Sequence, residues 1–91
     1  MVADRLPPPA AREVEDRIMD FVRRELLSPE VNVDREDDLL SGDLLDSVAV
    51  LRLAAFVEEE FEFKIQPADF VIENFQNVAV LADYVQRASG R

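Results

Sequence analysis

Val50, Leu53, Ala54, Val57 and Phe61 recur at intervals of three and four residues, and only an α-helix lays such a series along one face. Ala49, Arg52 and Glu59 fall elsewhere on the surface of the same helix. The spacing returns in Val14, Ile18, Phe21, Val22 and Leu26, with Arg12, Glu13, Asp16, Asp20 and Arg24 on the other side, and again in Val78, Leu81, Ala82 and Val85. Each helix therefore carries an apolar stripe that water disfavours. Helices of this kind stabilise one another by packing stripe to stripe, so the chain is constrained to a small helical bundle.

Punctuation sets the element boundaries. The first helix is predicted over Ala10 to Leu27, stopped by Ser28-Pro29, because the residue before a proline disfavours the helical region. The second is predicted over Ser47 to Phe61, with Glu58-Glu59-Glu60 as a solvated last turn. Phe61 to Ile65 alternates like a strand but is short and unpartnered, which predicts an extended connector with Phe63 or Ile65 plugging the core. Pro67 is suited to open a short helix, Ala68 to Ile72. Asn77 is suited to cap a final helix that ends before Gly90. Met1 to Pro9 closes on Pro7-Pro8-Pro9 and reads as an extended lead-in, which leaves residues 10–88 as the folded domain. Glu30 to Asp46 has no period. Its anchors Val31, Val33, Leu39, Leu40, Leu44 and Leu45 predict a long loop packed across the helices, a length that is uncommon and usually functional. The expected fold class is all-α: a four-helix bundle with three longer helices, one short helix, and this loop between helices 1 and 2.

Composition narrows the chemistry. Hydrophobic residues make up 48% of the 91, enough for one modest core without staples. The chain has no cysteine and no histidine. Disulfides, thiol chemistry and cysteine-ligated metals are thereby excluded, along with the usual general base and the commonest zinc ligand. Twenty acidic residues against ten basic ones leave a formal charge of −10, which repels nucleic acid and anionic membrane surfaces and attracts a basic face on a protein. No segment approaches the ~20 apolar residues of a membrane span. Met1 to Pro9 has neither the basic nor the apolar region of a signal peptide, so the expected setting is the cytoplasm.

Asp46-Ser47 stands where the second helix should begin. A Ser-His-Asp arrangement is impossible without histidine, and the one lysine, Lys64, lies beyond the far end of the same helix, too far for a Ser-Lys pair. No catalytic residue is expected. Asp and Ser are favoured helix caps, and capping alone would account for the pair. Capping is also compatible with modification, because a phosphodiester on Ser47 would sit at the positive end of the helix dipole, with Asp46 able to help hold a divalent ion during the transfer. The acidic loop fails as a calcium site. An EF-hand register begun at Asp37 puts Gly42 at the sixth position, but Leu39 and Val48 fall where ligands are required. No metal site is expected.

Asp38-Leu39-Leu40 before Gly42, then Leu45-Asp46-Ser47, then the apolar helix ending Glu58-Glu59-Glu60-Phe61, form an ordered series. Ile65-Gln66-Pro67, Asn74-Phe75-Gln76-Asn77-Val78 and Tyr84-Val85 continue it. Taken together, Asp37 to Val85 resembles an acyl carrier protein. The resemblance implies the family's four-helix fold and a covalent 4′-phosphopantetheine on Ser47, taken from coenzyme A by a magnesium-dependent phosphopantetheinyl transferase. It implies that the thiol of that arm bears an acyl or aminoacyl cargo as a thioester, so that a chain without Cys or His can serve thioester chemistry. It also implies that Asp46 lies at the transferase contact, with Val48 and Leu51 on the face that partners or the arm touch; ordinary core is the alternative for those two.

Two departures from fatty-acid carriers point elsewhere. Ala49 and Arg52 stand where such carriers tend to have acidic residues, which weakens generic docking to basic patches and makes Arg52 a candidate partner contact. Leu44-Leu45 stands where they tend to have Gly and a small residue. The expected role is a stand-alone, monomeric, non-catalytic carrier in polyketide, nonribosomal peptide or other specialised biosynthesis. Its expected partners are the transferase, an adenylating or acyltransferase loading enzyme, and a downstream synthase. The alternatives are a D-alanyl or other aminoacyl carrier, a fatty-acid-synthesis carrier, or an acidic helical adaptor with no prosthetic group.

Overall fold

A computed structural model of the chain describes residues 9–41 and 44–90, with side chains from Arg12 onward. Helix α1 runs Pro9–Phe21 and continues as a π-helical turn over Val22–Leu26, closed by Leu27 N–H donating to the Val22 carbonyl at 3.0 Å. Leu27 is extended (φ −111°, ψ 155°), so the chain leaves the helix just before Ser28-Pro29, as the sequence predicts. The helix begins at Pro9, one residue inside the stretch expected to be lead-in; the rest of that stretch, Met1 to Pro8, lies outside the described residues. Proline suits a first helical position because its missing N–H would have had no partner there.

Helix α2 spans Ser47–Glu60 and α4 spans Val78–Ser89. Asn77 caps α4, its side-chain oxygen accepting from the Val80 N–H at 2.7 Å, and Gly90 terminates it in the left-handed region at φ 76°. The expected short helix is displaced. Pro67–Asp69 forms a single 3₁₀ turn, Phe70 and Val71 are non-helical, and helix α3 occupies Ile72–Phe75. The Asp69 carboxylate accepts from the Tyr84 hydroxyl at 3.1 Å, and its carbonyl accepts from the Asn74 side-chain amide at 2.8 Å. These tertiary bonds, with Phe75 2% exposed in the core, override the local preference for a helix starting at Pro67.

The core is assembled from the three predicted stripes. Val14, Ile18 and Val22 meet Leu53, Ala54, Val57 and Phe61, and Val78, Leu81, Ala82, Tyr84 and Val85 close the other side. The long loop contributes Leu39 and Leu45 to this same core and buries Val33. Its backbone is tied to the helices at several points: Arg23 donates to the Val33 carbonyl at 2.9 Å, Arg35 donates two hydrogen bonds to Glu15 at 2.7 and 2.9 Å, and the Ala79 N–H donates to the Arg35 carbonyl at 2.9 Å. No strand occurs among the described residues. The architecture is the expected all-α four-helix arrangement.

The end of α2 departs from a simple solvated turn. Glu58 accepts from the Ile65 N–H at 2.8 Å, and Glu60 pairs with Arg17 of α1. Phe63 and Ile65 are both half-buried against the core. The Phe63 N–H closes back onto the Glu58 carbonyl at 3.1 Å, which requires Glu62 at φ 57°, a left-handed conformation that a residue with a Cβ adopts at a cost. Glu62→Gly is expected to raise unfolding free energy by about 0.5–1 kcal/mol, and Glu62→Val to lower it. Urea denaturation of the two variants against the native chain measures both.

Candidate functional site

Ser47 is exposed at the first position of α2, and the turn before it is held by Asp46. Asp46 is extended (φ −90°, ψ −177°), its Oδ1 accepts from the Ala49 N–H at 2.8 Å, and its carbonyl receives the first helical bond, from Val50, at 3.0 Å. This is the N-cap geometry that the residue pair predicts, with Asp46 as the cap and Ser47 as the first helical residue. The amides of Ser47 and Val48 precede the first helical hydrogen bond, so they add local positive potential beside the serine hydroxyl. That hydroxyl has no hydrogen-bond partner among the described residues.

Below Ser47 the surface opens into an apolar groove of about 450 Å³. Leu40 and Leu45 of the loop and Val50 and Leu51 of α2 form one side; Phe70, Val71, Ile72 and Phe75 form the other. Val48 is 64% exposed, Leu51 57% and Ile72 70%. Val48 and Leu51 are therefore not core, which settles the alternative that the sequence left open. Val50, one of the apolar series of α2, is only half-buried and faces the groove. The rings of Phe70 and Phe75 stack with centroids 5.2 Å apart and so hold the second wall to the core. Burial first, then the hydrogen bond to Asp69, push the Tyr84 phenol above its ordinary value of 10.0, so it stays a protonated donor that pins the start of that wall.

Arg52 is exposed on α2 and is paired within the chain. Its guanidinium reaches back to the end of helix 1, donating to the Glu25 carbonyl at 3.2 Å and lying 3.6 Å from the Glu25 carboxylate. It satisfies a helix-end carbonyl and has a counter-charge beside it. Asp46, Ser47 and Leu51 thus line the groove and Val48 is exposed next to Ser47 in the chain, while Arg52 bonds to the end of helix 1. Among the exposed residues of α2 after Ser47, no carboxylate appears until the last turn.

The loop side of the groove is organised by Asp38. Its Oδ1 accepts from the Leu40 N–H at 2.9 Å and the Ser41 N–H at 3.2 Å, and its Oδ2 accepts from the Ser41 hydroxyl at 2.6 Å and the Gln76 side-chain amide at 3.4 Å. The Ser41 hydroxyl first, then the Leu40 N–H, hold this carboxyl below its ordinary value of 3.8. Neither Asp38 and Gln76 nor the wall from Phe70 to Ile72 was singled out as functional from the sequence. The only signal for the wall was three consecutive apolar residues without a helical partner stripe. Among the described residues no group of His, Cys, Asp and Glu is arranged to hold a metal ion. No helix among them is long and apolar enough to cross a membrane.

Removing the cap by Asp46→Ala is expected to cost about 1 kcal/mol without abolishing the fold, read by urea denaturation and far-UV circular dichroism. Because the folded pKa of Asp38 is depressed, its contribution to stability is present above its unfolded value and is lost as pH falls through the folded one. Stability is expected to decline below about pH 4, with a shallower decline in Asp38→Asn, when urea midpoints are compared across that range.

A family model described as a phosphopantetheine attachment site matches residues 16–85 of the chain. A comparison with curated proteins gives no match.

Proposed function

The chain belongs to the phosphopantetheine attachment family of acyl carrier proteins, whose members covalently carry 4′-phosphopantetheine, and on that premise we propose that Ser47 is its attachment residue. One observation carries the assignment: Ser47 presents an exposed hydroxyl, with no hydrogen-bond partner among the described residues, at the capped start of α2 beside an open groove. The residues present fit the group. The exposed oxygen can accept a phosphodiester, the unpaired amides of the first turn favour its negative charge, and the groove can receive an arm laid along the surface.

In the proposed loading step the Ser47 oxygen forms a bond to the phosphorus of coenzyme A that bears the pantetheine. The pyrophosphate bond breaks, and the nucleotide half of coenzyme A departs. The hydroxyl proton must pass to a base of the phosphopantetheinyl transferase, since this chain has no histidine and Lys64 follows the far end of a 14-residue helix, ~20 Å away. Once attached, the arm supplies the thiol that holds an acyl or aminoacyl cargo as a thioester. Asp46 fixes the backbone turn that presents Ser47, and Val48 and Leu51 offer the surface against which a partner rests. The protein itself is a non-catalytic, monomeric carrier acting in the cytoplasm, its carrier unit spanning residues 10–88. Its partners are the transferase, a loading enzyme and a downstream synthase.

The docking face supports a specialised pathway, of polyketide or nonribosomal peptide type, over fatty-acid synthesis. Val48, Leu51, Val71 and Ile72 are exposed apolar residues around Ser47, and the charge of Arg52 is balanced by Glu25. Such a face recognises an apolar surface more than a basic one. The buried Leu45 and half-buried Leu44 before Asp46 also fit an aminoacyl carrier, including one for D-alanine, as the second reading.

Incubation with coenzyme A, magnesium and a broad-specificity transferase is expected to add one phosphopantetheine to the intact mass, and Ser47→Ala to abolish the gain. No gain in the native chain, or one that survives Ser47→Ala, would leave an acidic helical adaptor as the better description. Leu51→Asp is expected to raise the transferase KM on the order of tenfold, the scale of a lost interface anchor, with helix content unchanged. The KM of the native chain is expected to vary little between about 50 and 500 mM salt, because screening weakens ionic docking far more than apolar docking.

A further inference from the structure

The residues that line the groove come from distant parts of the chain, and a backbone hydrogen bond joins the loop that supplies Leu40 and Leu45 to the segment that follows α3. The Leu39 N–H donates to the Gln76 carbonyl at 2.7 Å, and Gln76 directly follows α3. The Leu39 carbonyl in turn accepts from the Leu45 N–H at 3.1 Å, one residue before the cap of α2. A continuous series of hydrogen bonds therefore runs from the end of α3, through Leu39, to the residue that leads into Asp46-Ser47. Asp38 sits across this joint. One of its oxygens shapes the Leu40-Ser41 turn, while the other faces both the Ser41 hydroxyl and the Gln76 side-chain amide. Leu40, held by that turn, lines the groove; Leu39 is wholly buried.

We propose that Asp38, acting through Gln76, is a positioning residue that sets how far the loop wall stands from the α3 wall, and thereby aligns the halves of the docking surface around Ser47. This rests on the reading of Ser47 as the loaded residue. Asp38 does not touch the serine. Its role follows from where its contacts lie: four acceptor contacts divided between the loop that supplies Leu40 and Leu45 and the residue that ends α3. Leu45 and Phe75, one on each side of the groove, are buried in the core, so a loosened joint changes the alignment of the walls and leaves the core packed. Leu40 and Leu51 would then be displaced relative to Val71 and Ile72, which line the same groove. A partner that needs both pairs would bind less well, while the serine hydroxyl would remain as reactive as before.

The test uses the full chain with coenzyme A, magnesium and a broad-specificity phosphopantetheinyl transferase. Gln76→Glu puts a carboxylate against Asp38 and should force the joint apart. It is expected to raise the KM for the carrier about five- to tenfold, in the range of couplings between contacting residues, with kcat within about twofold. Adding Asp38→Asn to that variant removes the repulsion and is expected to restore KM. Amide hydrogen exchange should show Leu39 and Leu45 losing protection in Gln76→Glu and regaining it in the double variant. Asp38→Ala removes the acceptor without adding charge and is expected to raise KM a few-fold, which keeps the proposal testable if Gln76→Glu folds poorly. An unchanged KM in both single variants, or a Gln76→Glu defect that Asp38→Asn does not relieve, overturns the positioning role. Failure of the native chain to be loaded at all overturns instead the assignment of Ser47.

Discussion

Burial of Leu39, with the hydrogen bond from its N–H to the Gln76 carbonyl, is the contact on which the arrangement around Ser47 depends. The segment between helices 1 and 2 has no regular ladder to satisfy its backbone, so each ordered stretch needs a side chain or a distant carbonyl as a partner. Leu39 provides an apolar anchor and a paired amide at the same residue. Leu45 repeats the device six positions later, its N–H bonded to the Leu39 carbonyl and its side chain in the core. Asp46 is the next residue along the chain and caps α2. The place at which the helix begins, and so the direction in which Ser47 faces, follows from these anchors.

The arginines serve the same end. Arg23 and Arg35 bind the loop to helix 1, Arg17 joins helix 1 to the end of α2, and Arg52 joins α2 to the Glu25 carbonyl in the last turn of helix 1. Exposed ion pairs contribute little stability one at a time. Their more evident effect here is on where charge is displayed. Among the described residues, six of the chain's ten basic side chains (Arg17, Arg23, Arg24, Arg35, Arg52 and Arg87) are held against its own backbone or carboxylates. Among the described residues that line the groove with Ser47, Asp46 is the one charged side chain. A chain with a formal charge of −10 thereby has a nearly uncharged groove lining beside Ser47.

Much of the fold was legible because helical stripes and caps are local properties. The span of α2 was read to within one residue at its end, and the Asn77 cap and the Gly90 stop were both read from single residues. Pro67 misled for a physical reason. It does open a turn, but Asp69, bonded to Tyr84 and Asn74, and Phe75, drawn into the core, move the start of the helix four residues onward, from Ala68 to Ile72. Val48 and Leu51 could not be separated from core residues by spacing, since an apolar residue at a helix edge has the same pattern whether or not another element covers it. The pairing of Arg52 with Glu25, 27 positions earlier, is likewise recorded in no local pattern.

The amino-acid sequence by itself determined that the chain is helical, that it brings no histidine or cysteine to activate Ser47, and that this serine follows a capping carboxylate at a helix start. Those facts depend on residue type and near-neighbour spacing. Only the tertiary structure decided that Ser47 lies beside an apolar groove, that Arg52 bonds to the end of helix 1, and that Asp38 meets Gln76. These depend on contacts between residues 27 to 38 positions apart or separated by whole helices, and hydrophobic burial is non-directional: it drives the stripes together without recording in any local pattern which residues will meet.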